Sequence, residues 1–201
     1  MTLKIFLTSI LALLLLTPMA GAANMKSGQL TGAFGAGLAI PNGDFGDAAK
    51  TGFGGLLNLD YAVSPAVTLG GTFQYNRHGL SDDLQAALDL LAFPLTVDGH
   101  FTVMHYGVDM KFYFTPERST RPYFTAGGGI YNYKATLESG GISASDSDSD
   151  AGINGGVGIL FDAGSKTHIG LQGVYHSIFT EDSSTDYISV QALFSFDLNT
   201  P

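Results

Sequence analysis

The dominant signal in this chain is alternation with a period of two. From Thr51 to Val63 the odd positions carry Phe53, Gly55, Leu57, Leu59, Tyr61 and Val63, while the even positions include Gly52, Gly54, Asn58 and Asp60. Side chains of an extended strand point alternately to opposite faces, so one face here is apolar and the other small or polar. The next run sets Val67, Leu69, Phe73 and Tyr75 against Thr68, Thr72, Gln74 and Asn76. Ser64-Pro65 between the runs supplies a turn, because proline cannot continue a ladder. The two runs predict a hairpin.

Five further segments read the same way. Residues 29–40 place Leu30, Phe34, Leu38 and Ile40 opposite Gln29, Thr31 and glycines, and residues 101–114 place Met104, Tyr106, Val108, Met110, Phe112 and Phe114 opposite His105, Asp109 and Lys111. Residues 152–162 and 167–178 follow, with Asn154 and Asp162, then His168, Gln172 and His176, on their polar faces. The last strand alternates most cleanly: Ile188, Val190, Ala192, Phe194, Phe196 and Leu198 against Tyr187, Ser189, Gln191, Ser195 and Asp197. Residues 122–134 form an eighth strand whose facing stays open, since Phe124, Ala126 and Ile130 compete with Tyr123, Tyr131 and Tyr133.

Eight strands leave seven connections, and their lengths alternate. Those around Pro41 to Lys50, Gly79 to Gly99, Glu138 to Asp150 and Glu181 to Asp186 are mostly longer than those at Ser64-Pro65, Pro116 to Arg121 and Gly164 to Lys166. All the long ones fall at one end. That asymmetry marks outer-membrane barrels, which have short periplasmic turns and long external loops. The expected fold is therefore all-β: an eight-stranded antiparallel up-and-down transmembrane barrel.

The opening segment stands apart from this pattern. Lys4 supplies a positive start, Ile5 to Leu16 an apolar stretch, and Ala20-Gly21-Ala22 a small-x-small cleavage pattern, so residues 1–22 read as a secretory signal peptide and 23–201 as the barrel domain. The apolar stretch is too short to cross the ~30 Å of hydrocarbon as a helix. Beyond it, no run of eighteen apolar residues occurs, which removes helical spans.

Composition narrows the picture further. The chain has no cysteine, so neither disulfides nor thiolate metal sites hold it together. Loss of Lys4 with the signal takes the formal net charge from −9 to −10, which argues against nucleic acid as a partner. Twenty-seven glycines, fourteen Phe and nine Tyr suit strands joined by tight turns.

The stretches GLAIPNGDFGD, NLDYAVSPAVTLGGTFQYN, RPYFTAGGGIYNY and GVGILFDAG resemble the small outer-membrane barrel superfamily that includes the OmpA transmembrane domain, the OmpX group and the OmpW group. The resemblance covers essentially the whole of residues 23–201, and no motif in it carries chemistry. It implies an eight-stranded monomeric barrel in the cell outer membrane, serving as an adhesin, surface-evasion factor, membrane tether or small-solute pore. Members commonly end on an aromatic residue, whereas Phe196 here is followed by Asp197-Leu198-Asn199-Thr200-Pro201. The sequence leaves no room after Leu198 for a peptidoglycan-binding domain, so a cell-wall tether is not expected.

A soluble lipocalin-type barrel also alternates in period two, but it would turn Asp60, Asp109, Lys111, Asp162 and Asp197 outward. Aromatic residues near the strand ends, among them Phe53, Tyr61, Phe112 and Phe114, fit interfacial girdles instead. Eight strands enclose only enough space for their own side chains, so a wide pore is not expected. Charges on the inner face can pair across a narrow lumen, as Asp109 and Lys111 suggest, which also argues against the soluble barrel. Inward glycines leave room for a wet pocket, which the bulk of Phe101, Tyr113 and Tyr187 interrupts, so a continuous channel is not favoured.

Candidate chemistry is sparse. His176-Ser177 with Glu181 and Asp182 invites a hydrolase reading, yet adjacent strand residues point to opposite faces and cannot pair as base and nucleophile. His168 and His176 share a face but lie eight residues apart, about 26 Å along a strand. His78 and His100 fall on different faces. No catalytic, cofactor-binding or metal-binding residue is assigned, and no cofactor is expected.

Two loop segments stand out. Ser81 to Pro94 has Leu84, Leu88 and Leu91 at helical spacing behind Asp82 and Asp83, which predicts a short amphipathic helix at the external rim, packed over the barrel mouth or, as the alternative, offering a site for a hydrophobic ligand or a partner surface. Asp146, Asp148 and Asp150 alternate with serine and read as a solvated, mobile loop; the EF-hand glycine and distal Glu are missing. Most carboxylates (Asp44, Asp47, Asp82, Asp83, Asp89, Asp98, Glu138, the 146–150 run, Glu181, Asp182 and Asp186) gather with Lys50 at the loop end, which points to divalent cations bridging them to anionic lipopolysaccharide. The functional expectation is a non-enzymatic outer-membrane barrel whose external loops serve surface interaction or membrane structure, with an unknown extracellular ligand. A narrow pore or a carrier for small or hydrophobic solutes is the alternative.

Overall fold

The structure, a computed structural model, describes residues 25–92, 97–180 and 184–199. The segment read from the sequence as a signal peptide, Pro94, Glu181 and Asp182 lie outside the described residues. Eight strands form one closed antiparallel barrel: β1 (Leu30–Asn42), β2 (Gly52–Ser64), β3 (Val67–Gly79), β4 (Val97–Tyr113), β5 (Thr120–Ser139), β6 (Ile142–Asp162), β7 (Thr167–Phe179) and β8 (Ser184–Asp197). Each strand pairs with its sequence neighbours, and β1 closes on β8 through pairs running from Thr31↔Asp197 to Asn42↔Asp186. Closure satisfies every strand edge within the wall, which a sheet in hydrocarbon requires.

The alternation read from the sequence sets the faces. Leu57 is 58% exposed, Val108 63% and Val157 63%, all on the outside, while Asp60 is 4% and Asp162 5% exposed on the inside. That distribution is inverted relative to a soluble barrel, which would bury the leucines and solvate the aspartates. β5 resolves its open parity through its registers: Tyr113↔Tyr123 and His105↔Tyr131 put the odd residues inward, leaving Phe124 and Ile130 outside. A phenol tolerates either setting, which is why the sequence left this strand ambiguous.

Inward glycines do not open the lumen. A Cβ at Gly152 would lie 2.8 Å from the Tyr131 ring, and one at Gly158 would overlap that of Tyr123. These glycines make room for large side chains reaching across from the neighbouring strand.

Two loop expectations need correction. The Glu138 to Asp150 loop is not a loop: β5 and β6 stay paired as far as Ser139↔Ile142, and only Gly140 and Gly141 turn, at φ +56° and +83°. Two consecutive positive φ values suit a two-residue hairpin turn whose twist matches the strands, and glycine adopts them without strain. β6 pairs with β7 only from Gly152 onward, so β5 and residues 142–151 project past the barrel as a ribbon, flanked on one side by β4. The helix in the β3–β4 connection is present as α2 (Asp82–Ala92), but it packs beside β4, with Leu90 81% and Leu91 84% exposed. The mouth is covered instead by a five-residue helix, α1 (Asp44–Ala48), packed against β1 and β8.

Candidate functional site

The lumen is lined by polar side chains that meet in layers. At the end holding the short turns, Arg121 pairs with Asp162, and His168 Nδ1 stands 2.8 Å from Asp162 Oδ1. His168 Nε2 lies 3.3 Å from Asp197, which also accepts from Thr31 at 3.2 Å. β5, β6, β7, β8 and β1 each contribute to this cluster.

One layer farther in, Lys111 Nζ donates to Asp60 Oδ2 at 2.5 Å and to Asn58 Oδ1 at 2.8 Å. The partner of Lys111 is thus on β2, two strands away, and not Asp109, its neighbour on the same strand. Asp109 accepts instead from Thr72. Across the lumen, Tyr123 donates to Gln172 and Gln172 to Gln191, each at 2.9 Å.

The third layer is aromatic. His105 stacks on Tyr131 at 4.2 Å between ring centroids, and His176 stacks on Tyr187 at 4.4 Å. The two stacks meet where Tyr131 Oη approaches His176 Nδ1 to 3.0 Å, and His176 Nε2 lies 3.1 Å from Ser189 Oγ. Above them Phe45 of α1 sets its ring edge-on to His78 and Phe101, at 5.2 and 5.8 Å, and His78 Nδ1 donates to the Lys50 carbonyl at 3.1 Å.

Among the described residues two small cavities lie between these layers. A cavity of about 30 Å³ sits among His105, Asp109, Lys111, Asn154 and His176, and another of about 10 Å³ near Arg121 and Asp197. The larger is about one water's share of liquid volume. Both ring nitrogens of His105 and Oδ1 of Asp109 lack a protein partner there, as buried water would explain.

The histidines separate as the spacing implied. His168 and His176 belong to different layers, while His78 faces the lumen and His100, opposite Gly79, faces out. The serine that His176 meets is not Ser177 but Ser189, completely buried across the β7–β8 pair, a contact invisible to spacing within one strand. Among the described residues no three His, Asp or Glu side chains cluster to hold a metal ion.

On the ribbon, Tyr133 donates to Asp150 Oδ2 at 3.0 Å, and burial together with that carboxylate pushes the phenol up to about 12. Asp146 and Asp148 each accept from the backbone N–H of the following serine, at 3.1 Å for Ser147 and 2.7 Å for Ser149. The sequence flagged this acidic run but not its extended form, because serine and aspartate are both polar and leave no hydrophobic period to read.

An apolar wall around a polar, filled interior, closed by strand pairing, defines a transmembrane β-barrel. The sequence matches the model of the outer membrane protein beta-barrel domain over residues 9–198, and the chain belongs to that family; it is a protein of the cell outer membrane. Among solved structures, Ail, the attachment invasion locus protein of Yersinia pestis, is similar at 18% identity and TM-score 0.56 over 85% of this chain and 99% of that one. Neisserial surface protein A is similar at 17% identity and TM-score 0.59, covering 89% and 100%. A major outer membrane protein of Thermus thermophilus shares the fold at 9% identity and TM-score 0.56, covering 84% and 99%. No curated protein matches.

Proposed function

We propose that this protein is a non-conducting, non-enzymatic, monomeric anchor in the outer membrane that holds the β5–β6 ribbon and the α2 rim outside the cell for contact with external partners. One observation carries the reading: among the described residues side chains meet across the lumen in successive layers that leave cavities of about 30 and 10 Å³, while β5 and β6 continue well past the wall. A barrel stiffened by internal ion pairs and stacked rings suits a mount better than a conduit. The complete burial of Ser189 supports a structural role for the Ser189–His176 contact, since no substrate reaches it.

The external face carries Asp44, Asp47, Asp82, Asp83 and Asp89 besides the ribbon carboxylates. Ail of Yersinia pestis has been solved with the heparin analogue sucrose octasulfate; an acidic face repels such a polyanion, so the partner expected here is neutral or cationic. Divalent cations are the expected bridge between these loops and anionic lipopolysaccharide.

Planar-bilayer recording of the refolded protein tests the closed lumen, with a noise-level baseline expected and steady unitary steps pointing to the narrow-pore reading instead. Shortening the ribbon between Thr136 and Ser145 to a two-residue turn tests the external role. Adhesion of expressing cells to epithelial monolayers should fall while barrel yield stays constant, and equal adhesion would remove the ribbon from the function.

A further inference from the structure

Outside the barrel, on the wall formed by β2 to β5, side chains are layered by charge. The registers align them in rows: Phe73, Tyr106 and Ile130, then Tyr75 and Met104, then Phe53, Arg77, Thr102 and Lys134. Farther out stand His100 beside Thr136, and finally Asp98 directly opposite Glu138. Successive rows are two residues apart, about 6.6 Å along a strand, so tilted strands lift the Arg77 row roughly 10 Å above the Tyr106 row.

That height has a physical meaning. A lipid-facing cation costs ~2–4 kcal/mol at the bilayer midplane and almost nothing at the interface, so the first cationic row outside the aromatic rows marks the headgroup level. There the wall is concave. Phe53, Arg77, His100, Asp98 and Glu138 surround a hollow of about 300 Å³ whose floor is the backbone of Gly52, Gly79 and Gly99. The side chains of Arg77, His100 and Lys134 make no hydrogen bond or ion pair among the described residues, so their donors are available. Phe53, exposed on the membrane side of the hollow, offers an apolar surface continuous with the hydrocarbon.

We propose that the membrane-side rim of this hollow binds the phosphorylated headgroup of an outer-leaflet lipid, with its phosphate on Arg77 beside His100, Lys134 adding its charge from the same row just outside the hollow, and its acyl chains descending past Phe53 and Tyr75. A guanidinium takes two phosphate oxygens at once, the strongest geometry available to a single side chain. Asp98 and Glu138 stand two rows farther out and repel an anion that is free to occupy the whole hollow, whereas a lipid phosphate is held at the Arg77 row by acyl chains in the hydrocarbon, and that tether separates a lipid from inorganic phosphate. The site requires only the outer-membrane setting, and it holds or fails independently of any partner of the ribbon.

The test compares full-length mature protein in detergent with R77Q/K134Q and with R118Q, which removes a cation at the opposite end. Each is incubated with a bis-phosphorylated, multiply acylated glucosamine lipid or with the same lipid after phosphatase treatment, and bound lipid is counted by native mass spectrometry. The expected result is one tightly held phosphorylated lipid, retention reduced on the order of tenfold in R77Q/K134Q, no reduction in R118Q, and recovery in the charge-keeping R77K/K134R. Heat-dependent gel mobility confirms that each variant is folded; should R77Q/K134Q fail to fold, the charge-neutral pair R77M/K134M and competition by excess inorganic phosphate on the parent protein take its place. Equal retention of the dephosphorylated lipid, equal losses in R118Q, or displacement by inorganic phosphate at millimolar concentration would overturn the proposal.

Discussion

The Tyr123 ring fills the space in which a side chain at Gly158 would stand: a Cβ there would overlap Cζ of the ring. Gly158 pairs directly with Tyr123 across β5 and β6, and the ring leans over it to reach Gln172. A leucine at Gly158 must expel the ring and break that hydrogen bond. Urea unfolding in liposomes should show a loss of about 1–3 kcal/mol for Gly158→Leu, the usual range for overpacking. Adding Tyr123→Ala should return part of it, and a double variant whose loss equals the sum of both singles would show that the two positions do not share this space.

The Lys111–Asp60 pair predicts an asymmetry between breaking and replacing. Lys111→Met leaves the buried Asp60 carboxylate without its cation and should cost about 3–5 kcal/mol, whereas Lys111→Met combined with Asp60→Leu removes both charges and should cost clearly less. Unfolding midpoints of the two variants in the same bilayer decide it. A double variant no better than the single would mean that Asp60 does not stay charged once Lys111 is gone.

Much of this interior was legible in the sequence, and the limits were physical. Parity alone places Asp60, Lys111, Asp162, His168 and Gln191 inside, because a one-residue slip would expose every one of them to lipid. Partnership was not legible: Lys111 prefers Asp60 on β2 to Asp109 on its own strand because the closed wall curves β2 and β4 toward each other. The mouth cover was missed for a different reason. Asp44 to Ala48 is a single short helical turn with one large apolar side chain, Phe45, so no period exists to betray it. α2 was found by its period but misplaced, since amphipathicity tells which face is apolar and not which neighbour receives it.

The ribbon carries a built-in guard. Counting outward from the two-residue turn, every second pair along β6 turns its N–H groups away from β5, which directs those of Ser147 and Ser149 to the unpaired edge. Asp146 and Asp148 occupy them. An uncovered edge invites pairing with a second copy. Replacing Asp146, Asp148 and Asp150 together with alanine should therefore give concentration-dependent dimers by cross-linking in bilayers, while the parent stays monomeric. If the variant also stays monomeric, the carboxylates are not what keeps the edge free.

Calcium or magnesium bridging between the acidic loops and lipopolysaccharide predicts a protease phenotype. In bilayers containing lipopolysaccharide, chelation should speed cleavage within the β3–β4 and β7–β8 connections several-fold. In phospholipid bilayers, which lack that anionic partner, chelation should change nothing. The same acceleration in both bilayers would assign the effect to the loops alone.

The membrane setting itself is tested by two adjacent residues of β8. Ala192 faces outward and Gln191 is buried in the lumen, and the strand brings both to mid-height: Ala192 pairs with Ala36 and Leu171, Gln191 with Gly37 and Gln172. Arginine at Ala192 would sit in hydrocarbon at a cost of ~2–4 kcal/mol. Arginine at Gln191 enters a polar interior but must displace the Gln172 hydrogen bond and crowd Gly37, where the wall already leaves no space for a Cβ. The two penalties therefore differ in kind. The Ala192→Arg cost should shrink in a detergent micelle, where water and headgroups reach the wall, whereas the Gln191→Arg cost comes from packing and should persist. Denaturant unfolding of both variants in bilayers and in micelles gives the comparison. A cost for Ala192→Arg that stays the same in both media would mean that the outward face of β8 is not in contact with lipid.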